Sequence, residues 1–409
     1  MKTPFGHLTY CTNIHSGESW QDHFAQLQQH VPSIKKSLSP QAPMGIGLRL
    51  SNEASIELAS KGKTDVFKSW LAEHNCYVFT LNGFPYGGFH NTVVKDNVHT
   101  PDWLTNERVE YTIRLAHILA QLLPHRMDGG ISTSPLSYRF WFEDNEAQKE
   151  AIAKATQNIL TMLQTLIQLK KETGKTIHLD IEPEPDGLLE TGAEFINWYK
   201  EVLLPAGIRF LATTFNFSEA EAIAAIKEHI TLCYDVCHFA IGFEAHSEVL
   251  QQLQKENIQV GKIQISAALK ATLPKSVEER QKVFETFALF NEPVYLHQVV
   301  AQQWDGTLLR YRDLQPALEN EQAQDAKEWR AHFHVPLFEA QYGVLQSTQQ
   351  DIIEILQLHC NEPITHHLEV ETYTWEVLQP HLKIPLNQSI IRELQWVQAQ
   401  LLKGKTNVL

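Results

Sequence analysis

Cysteine is scarce in this chain, with five in 409 residues at irregular spacing, and the odd count excludes a disulfide framework. Cys233 and Cys237 are near neighbours, but no second pair completes a zinc-finger pattern, and they read as small buried residues on a strand. No run of about 18 apolar residues occurs, so no transmembrane helix is expected. The opening MKTPFGHLTY lacks the apolar segment of a secretory signal. A reduced, cytoplasmic protein without direct membrane insertion is expected, in which the sequons at Asn216 and Asn387 carry no meaning. Basic residues are in deficit, Lys+Arg 34 against Asp+Glu 48, and the net charge of −14 argues against nucleic acid as a partner. Glycine motifs are missing too. No G-x-G-x-x-G follows the first strand, GFPYGG (83–88) has no Lys-Ser/Thr after it, and no G-x-S-x-G elbow is present. Dinucleotide, phosphate-loop and serine-hydrolase chemistry are therefore not expected. Without a linker, repeat or low-complexity tract, residues 1–409 read as one elaborated domain.

What is present is strand–helix alternation from end to end. Strands are expected at Leu8–His15, Met44–Ser51, Cys76–Asn82, Gly130–Ser134, Ile177–Glu182, Thr231–Asp235, Lys262–Ser266 and Leu368–Thr372. Helical spacing marks Glu18–Val31 behind a cap-like Ser16, then Thr105–Leu123, Glu146–Lys171 and Glu190–Leu204. Further helices are expected at Ser218–His229, His246–Glu256, Val277–Leu289, Gln349–His359 and Gln388–Leu402. Eight such units imply right-handed crossovers and a single α/β domain, a (β/α)8 TIM barrel, ahead of an open doubly wound sheet. Phe84–Asp102 exceeds the minimal barrel as a long loop after strand 3, and about 293–338 as an insertion between strands 7 and 8.

Four apolar, strand-like stretches end in metal-binding or acid/base side chains: Thr176–Pro185, Ile230–Ile241, Trp329–Phe338 and His366–Trp375. Carboxylates and imidazoles beside buried strands are costly unless paired or bound to a cation, so four such endings suggest one shared pocket. In LDIEPEP, Glu182 precedes Pro183 and falls at the C-terminal rim, where barrel active sites assemble; Glu184 and Asp186 follow, and a capping or loop cluster is the bland alternative. YDVCH sets Asp235 and His238 three apart, suited to a metal-ligand or carboxylate–imidazole dyad. HFH puts His332 and His334 on one side of an extended segment, for a divalent ion or polyol hydroxyls; a surface pair is the alternative. In LEVET, Glu371 is the rim carboxylate and Glu369 sits deeper. Gln264 is the rim residue of strand 7 and a weak ligand through its amide oxygen. This mixture of oxygen and nitrogen donors suits zinc, manganese or iron as a divalent ion, able to polarise a carbonyl or acidify bound water. Asn13, His15, Tyr86, His90 and Lys95 are candidate substrate contacts.

The motifs resemble the xylose isomerase-like TIM-barrel superfamily, which includes sugar isomerases and epimerases and endonuclease IV-type enzymes. The resemblance implies a metal site of Glu182, Asp235, His238, Gln264 and Glu371, with His332 and His334 as counterparts of the endonuclease branch's extra pair. TYCTNIHSGESW, LNGFPYGGFH, STSP, LDIEPEP, YDVCHFAIGFE and RAHFHVPLF together resemble the bacterial metabolite traffic protein EboE family. That family is associated with moving a secondary metabolite, which implies a small-molecule substrate and partner proteins from the same gene cluster. The epimerases usually carry His where Gln264 stands. The resulting expectation is a metal-dependent isomerase or epimerase acting on a small polyhydroxylated or carbonyl compound, with Glu182, Glu371 and His238 catalytic. A non-catalytic metabolite-binding barrel and, less in keeping with the charge, a phosphodiester-cleaving enzyme are the alternatives.

Overall fold

A computed structural model describes residues 1–88, 94–373 and 383–406. Its main sheet contains eight parallel strands in chain order: β1 (Gly6–Tyr10), β2 (Met44–Arg49), β3 (Cys76–Asn82), β4 (Gly129–Thr133), β5 (Ile177–Ile181), β6 (Ile230–Asp235), β7 (Val260–Ile265) and β8 (His367–Val370). β8 pairs with both β7 and β1, and Lys2–Thr3 adds an antiparallel edge to β1. Between β1 and β2 the barrel closes through a Cys11–Gly47 bridge and the Thr9 hydroxyl, which donates to the Gly45 carbonyl and accepts from the Gly47 amide. The expected (β/α)8 barrel is present, with all eight strands where the alternation put them.

Each strand alternates, but in an unusual sense. Leu8, Ile46, Val78, Ile131, Leu179, Leu232, Ile263 and Leu368 pack outward against the helices and are fully buried. Register places Thr9, Gly47, Ser132, Asp180, Cys233, Lys262 and Glu369 on the opposite, inward side. Barrel interiors are ordinarily filled by branched apolar residues. Here the axis is polar. β5 and β8 each send three ionisable residues inward in successive layers, His178, Asp180 and Glu182 from one, His367, Glu369 and Glu371 from the other. The middle layer is held by Lys262, whose ammonium donates to Glu369 Oε2 at 2.5 Å and Ser132 Oγ at 2.9 Å. Burial opposes charge on Lys262, but the adjoining Glu369 carboxylate outweighs it and keeps the ammonium protonated. Glycine makes the room, since a Cβ on Gly47 would stand 1.8 Å from Glu369 Oε1.

Helix ends follow local chemistry. The first helix runs Trp20–Leu38 and is capped by Ser19, not Ser16, because the Ser19 hydroxyl reaches the Asp22 amide. Asp144 caps Asn145–Thr173, and Gly174 ends it in the left-handed region at φ 70°. Two helices between β2 and β3, Asn52–Ala59 and Lys63–Glu73, went unread because they are short and weakly patterned. The stretch Ile230–Ile241 does not stay extended. Val236–Ile241 is a helix buried all round, so it has no period to read, and Asp235 caps it.

After β7 the chain builds a second, antiparallel sheet from Leu269–Thr272, Val299–Gln302, Leu308–Tyr311, Glu328–Ala331, Gln341–Tyr342 and Leu345–Ser347. These strands extend beyond 293–338 on both sides, because Leu269–Thr272 and Leu345–Ser347 supply its middle and flank. Only the first three residues of the HFH stretch are strand, within Glu328–Ala331; the segment after it is fixed by Val335 N–H donating to the Ala267 carbonyl at the exit of β7.

Lys262→Met should cost about 3–5 kcal/mol, because it strands a buried Glu369 carboxylate. Adding Glu369→Leu should recover most of that loss in urea unfolding; equal instability of the single and double variants would show that the pair is not what organises the axis.

Candidate metal centre at the barrel mouth

The carboxylates of Glu182, Asp235 and Glu371 meet at the C-terminal ends of β5, β6 and β8, with ligand atoms within 4.8 Å of one another. Backbone bonds fix two of them, Glu182 N–H donating to Thr133 O and Glu371 N–H to Ile265 O, both at 3.0 Å. Asp235 is fixed by capping its helix and by Ser266 Oγ at 2.6 Å. Asn13 and Asn82 each donate to Glu371 Oε1 at 2.7 Å, and His334 Nδ1 lies 3.2 Å from Glu371 Oε2.

Gln264 sits at the centre. Its amide nitrogen is 2.9 Å from Glu182, 2.8 Å from Asp235 and 2.5 Å from Glu371. One NH₂ has two hydrogens for three carboxylate oxygens, and Glu182 Oε2, though buried, has no hydrogen-bond partner. Burial, then Glu371 and Asp235, push the Glu182 carboxyl well above its ordinary range. Burial would raise Asp235 as well, but His238, His334 and the bonds from Ser266 and Gln264 outweigh it and hold that carboxyl low. His334 is raised despite its burial, by Asp235 and Glu371. Three converging carboxyl groups beside one imidazole form a donor set that suits a divalent cation.

A second feature points the same way. His238 Nδ1 lies 3.0 Å from the Pro183 carbonyl and His332 Nδ1 2.7 Å from Gln298 Oε1, so both nitrogens donate. The Gln298 amide is oriented by its own bond to the Pro185 carbonyl at 3.2 Å. The two rings therefore aim Nε2 lone pairs at each other across 3.2 Å. Burial holds both imidazoles below their usual range, most strongly His332 beside His238 and His334, which disfavours a shared proton. Two nitrogens on one tetrahedral zinc stand about 3.3 Å apart. The residues fit a cation there too, with Glu184, whose ligand atom lies within 4.8 Å of both imidazoles.

Asn13, Lys95, Glu182, His238, His332, His334 and Glu371 line a mouth cavity of about 60 Å³, with Asp235 and Gln264 bonded just beneath. Lys95 is engaged by Asp313 at 2.6 Å. His15 is elsewhere: Tyr10 points outward and bonds His15 Nε2 at 3.0 Å, and the ring stacks on His30 of the first helix. Tyr86 is also outside the cavity, packed edge-on to Tyr111. His90, Thr374 and Trp375 lie outside the described residues. Asn82, His99, Gln298, Tyr295 and Tyr373 line the mouth without having been read from sequence. Asn82 ends β3 and obeys the rim rule already applied to Glu182. His99 is in a short 3₁₀ turn with no pattern to reveal it, yet it lies 3.0 Å from Glu184. Burial drops His99 to about 3 and lifts the Glu184 carboxyl well above its normal range.

No family model matches the chain, and no curated protein matches it. Solved structures do. A xylose isomerase-like TIM-barrel protein from Mycobacterium smegmatis in complex with magnesium is 9% identical, with a TM-score of 0.50 over 99% of this chain and 100% of that one. A proposed sugar phosphate isomerase/epimerase from Anabaena variabilis is 9% identical, with a TM-score of 0.50 over 98% and 99%. The fold is that of the xylose isomerase-like TIM barrels. A D-tagatose 3-epimerase-like protein is also similar, at 9% identity and a TM-score of 0.49 over 98% and 100%. At these identities the fold is what is shared.

Burial and the neighbouring Glu371 and Asp235 raise the Glu182 carboxyl, so a cation binding there competes with a proton. Adding zinc or manganese to stripped protein should therefore release protons, and binding should tighten as pH rises. Glu182→Gln should abolish that release in an indicator-dye titration, and release unchanged in the variant would exclude Glu182 as the displaced acid.

Proposed function

We propose that this protein is a divalent-metal-dependent isomerase or epimerase acting on a small polyhydroxylated or carbonyl metabolite. The reading is carried by the convergence of Glu182, Asp235 and Glu371 on one buried point at the barrel mouth. Moving a proton at carbon needs a positioned carboxylate, and holding the substrate needs a cation that grips adjacent oxygens. When bound, the cation would polarise those oxygens and acidify the neighbouring C–H. Glu371 is pinned by Asn13, Asn82 and Gln264, which suits a ligand. Glu182 keeps an oxygen without a partner and is assigned the proton transfer. His238 is held by the Pro183 carbonyl beside it and orients substrate. A barrel of the same fold from Mycobacterium smegmatis was solved in complex with magnesium, in keeping with a divalent cation on this fold. The small cavity favours a substrate of few atoms beyond those the cation would hold.

The EboE-like runs supply Asn13, His238 and His334 to this mouth, which supports a role in bacterial secondary-metabolite traffic, in the cytoplasm and beside proteins of the same gene cluster. A second reading, a binding barrel without turnover, is favoured by the Gln264 amide among the carboxylates. The two separate in D₂O. Metal-loaded protein incubated with a panel of ketoses and inososes should exchange the proton beside the carbonyl, seen by NMR. Glu182→Gln should slow exchange by about 10²–10⁴-fold. Binding of a panel member without any exchange would overturn the enzymatic reading in favour of the binding barrel.

A further inference from the structure

The opposite end of the barrel carries a second cluster that the mouth does not use. Asp128 precedes β4, His178 is the second residue of β5 and His367 opens β8. Their ligand atoms lie within 4.8 Å of one another. His178 Nε2 is 3.8 Å from Asp128 Oδ2, and His367 Nε2 is 3.5 Å from Asp128 Oδ1. The two imidazoles lie with ring centroids 5.0 Å apart, although β6 and β7 separate their strands in the sheet. Both rings are buried, 5% and 1% exposed, whereas the Asp128 side chain is 45% exposed. His178 Nδ1 is bonded to Asp180 Oδ1 at 2.5 Å, and Thr231 Oγ1 donates to the same oxygen. That arrangement fixes the ring and leaves Nε2 directed at Asp128. Metal-ligating histidines characteristically hand their other ring nitrogen to a carboxylate in this way. His367 offers the second observation: its Nδ1 has no hydrogen-bond partner, and its Nε2 has only the long approach to Asp128. A buried imidazole left so is costly, and a cation facing Nε2 would relieve it.

We propose that Asp128, His178 and His367 form a zinc-type divalent metal site at the base of the barrel, independent of the mouth. The donors match zinc, with two imidazoles and one carboxylate. The separations of 3.5 and 3.8 Å are near the roughly 3.3 Å expected between ligands on one tetrahedral zinc. Asp128 and His178 border a cleft of about 850 Å³, also lined by Thr176, Glu228, Thr231, Gln254 and Asn257, from which water would complete the coordination. Four residues along β5 separate His178 from Glu182, placing this ion about 13 Å from the mouth. The ion ties β5 to β8 across the barrel floor.

The test is zinc content and melting temperature of full-length protein, stripped with EDTA, reloaded with zinc and desalted. Wild-type protein should retain one more zinc per chain than His367→Gln, and its zinc-induced rise in melting temperature should shrink in that variant. Asp128→Asn, at the half-exposed edge of the cluster, should weaken one zinc site by more than the roughly 10- to 100-fold that loss of an outer-shell partner costs. Glu182→Gln combined with His332→Gln should leave the base zinc in place, so failure of the mouth reading and of this one are distinguishable. Equal zinc content and affinity in wild-type, His367→Gln and Asp128→Asn proteins would overturn the proposal.

Discussion

The constraint on which the rest of the molecule depends is a barrel axis made of ionisable side chains. Each inward carboxylate must be matched by a cation, a hydrogen bond or a proton, because the space is buried. The middle layer meets this with Lys262 and Glu369, and with Thr231 and His178 on Asp180. Glycines on neighbouring strands yield the volume: a Cβ on Gly261 would stand 2.0 Å from Asp180 Oδ1, as one on Gly47 would crowd Glu369. Stability and chemistry are therefore coupled along β5 and β8, where one strand face holds the fold and carries the site.

The top layer gathers three carboxyl groups around one amide and the His334 imidazole. Asp235 is supported by Ser266 and its helix, and Glu371 by two asparagines, but Glu182 is left raised with a bare oxygen. The second sheet adds to this layer, delivering His332 and, through Gln298, fixing the tautomer that turns its lone pair on His238. An insertion that would otherwise be an ornament on the barrel therefore brings an imidazole to its mouth.

Much of this was legible in the sequence because inward polar residues alternate with outward apolar ones. LDIEPEP and LEVET each announce a strand, a face and a rim residue, and Glu182 and Glu371 fall where that reading puts them. Asp235 and His238 were found by spacing although the chain turns helical between them. Other parts carried no local signal. His15 sits beside a strand end but turns outward to Tyr10, and strand order alone cannot give that direction. Glu184 acquires its partner from His99, far away in sequence and in a turn without periodicity. The base cluster carried no signal because His178 and His367 lie near the starts of strands whose rim ends hold the carboxylate pattern.

The central claim is that a divalent ion completes the top layer. Anomalous diffraction at the manganese or zinc edge, from crystals grown without chelator and soaked with the metal, tests it most directly. The account predicts a peak within bonding distance of Glu182, Asp235 and Glu371, with the Gln264 amide turned to present oxygen or swung aside. A mouth with no anomalous peak, and with Gln264 Nε2 still bridging the three carboxylates at full metal concentration, would contradict it.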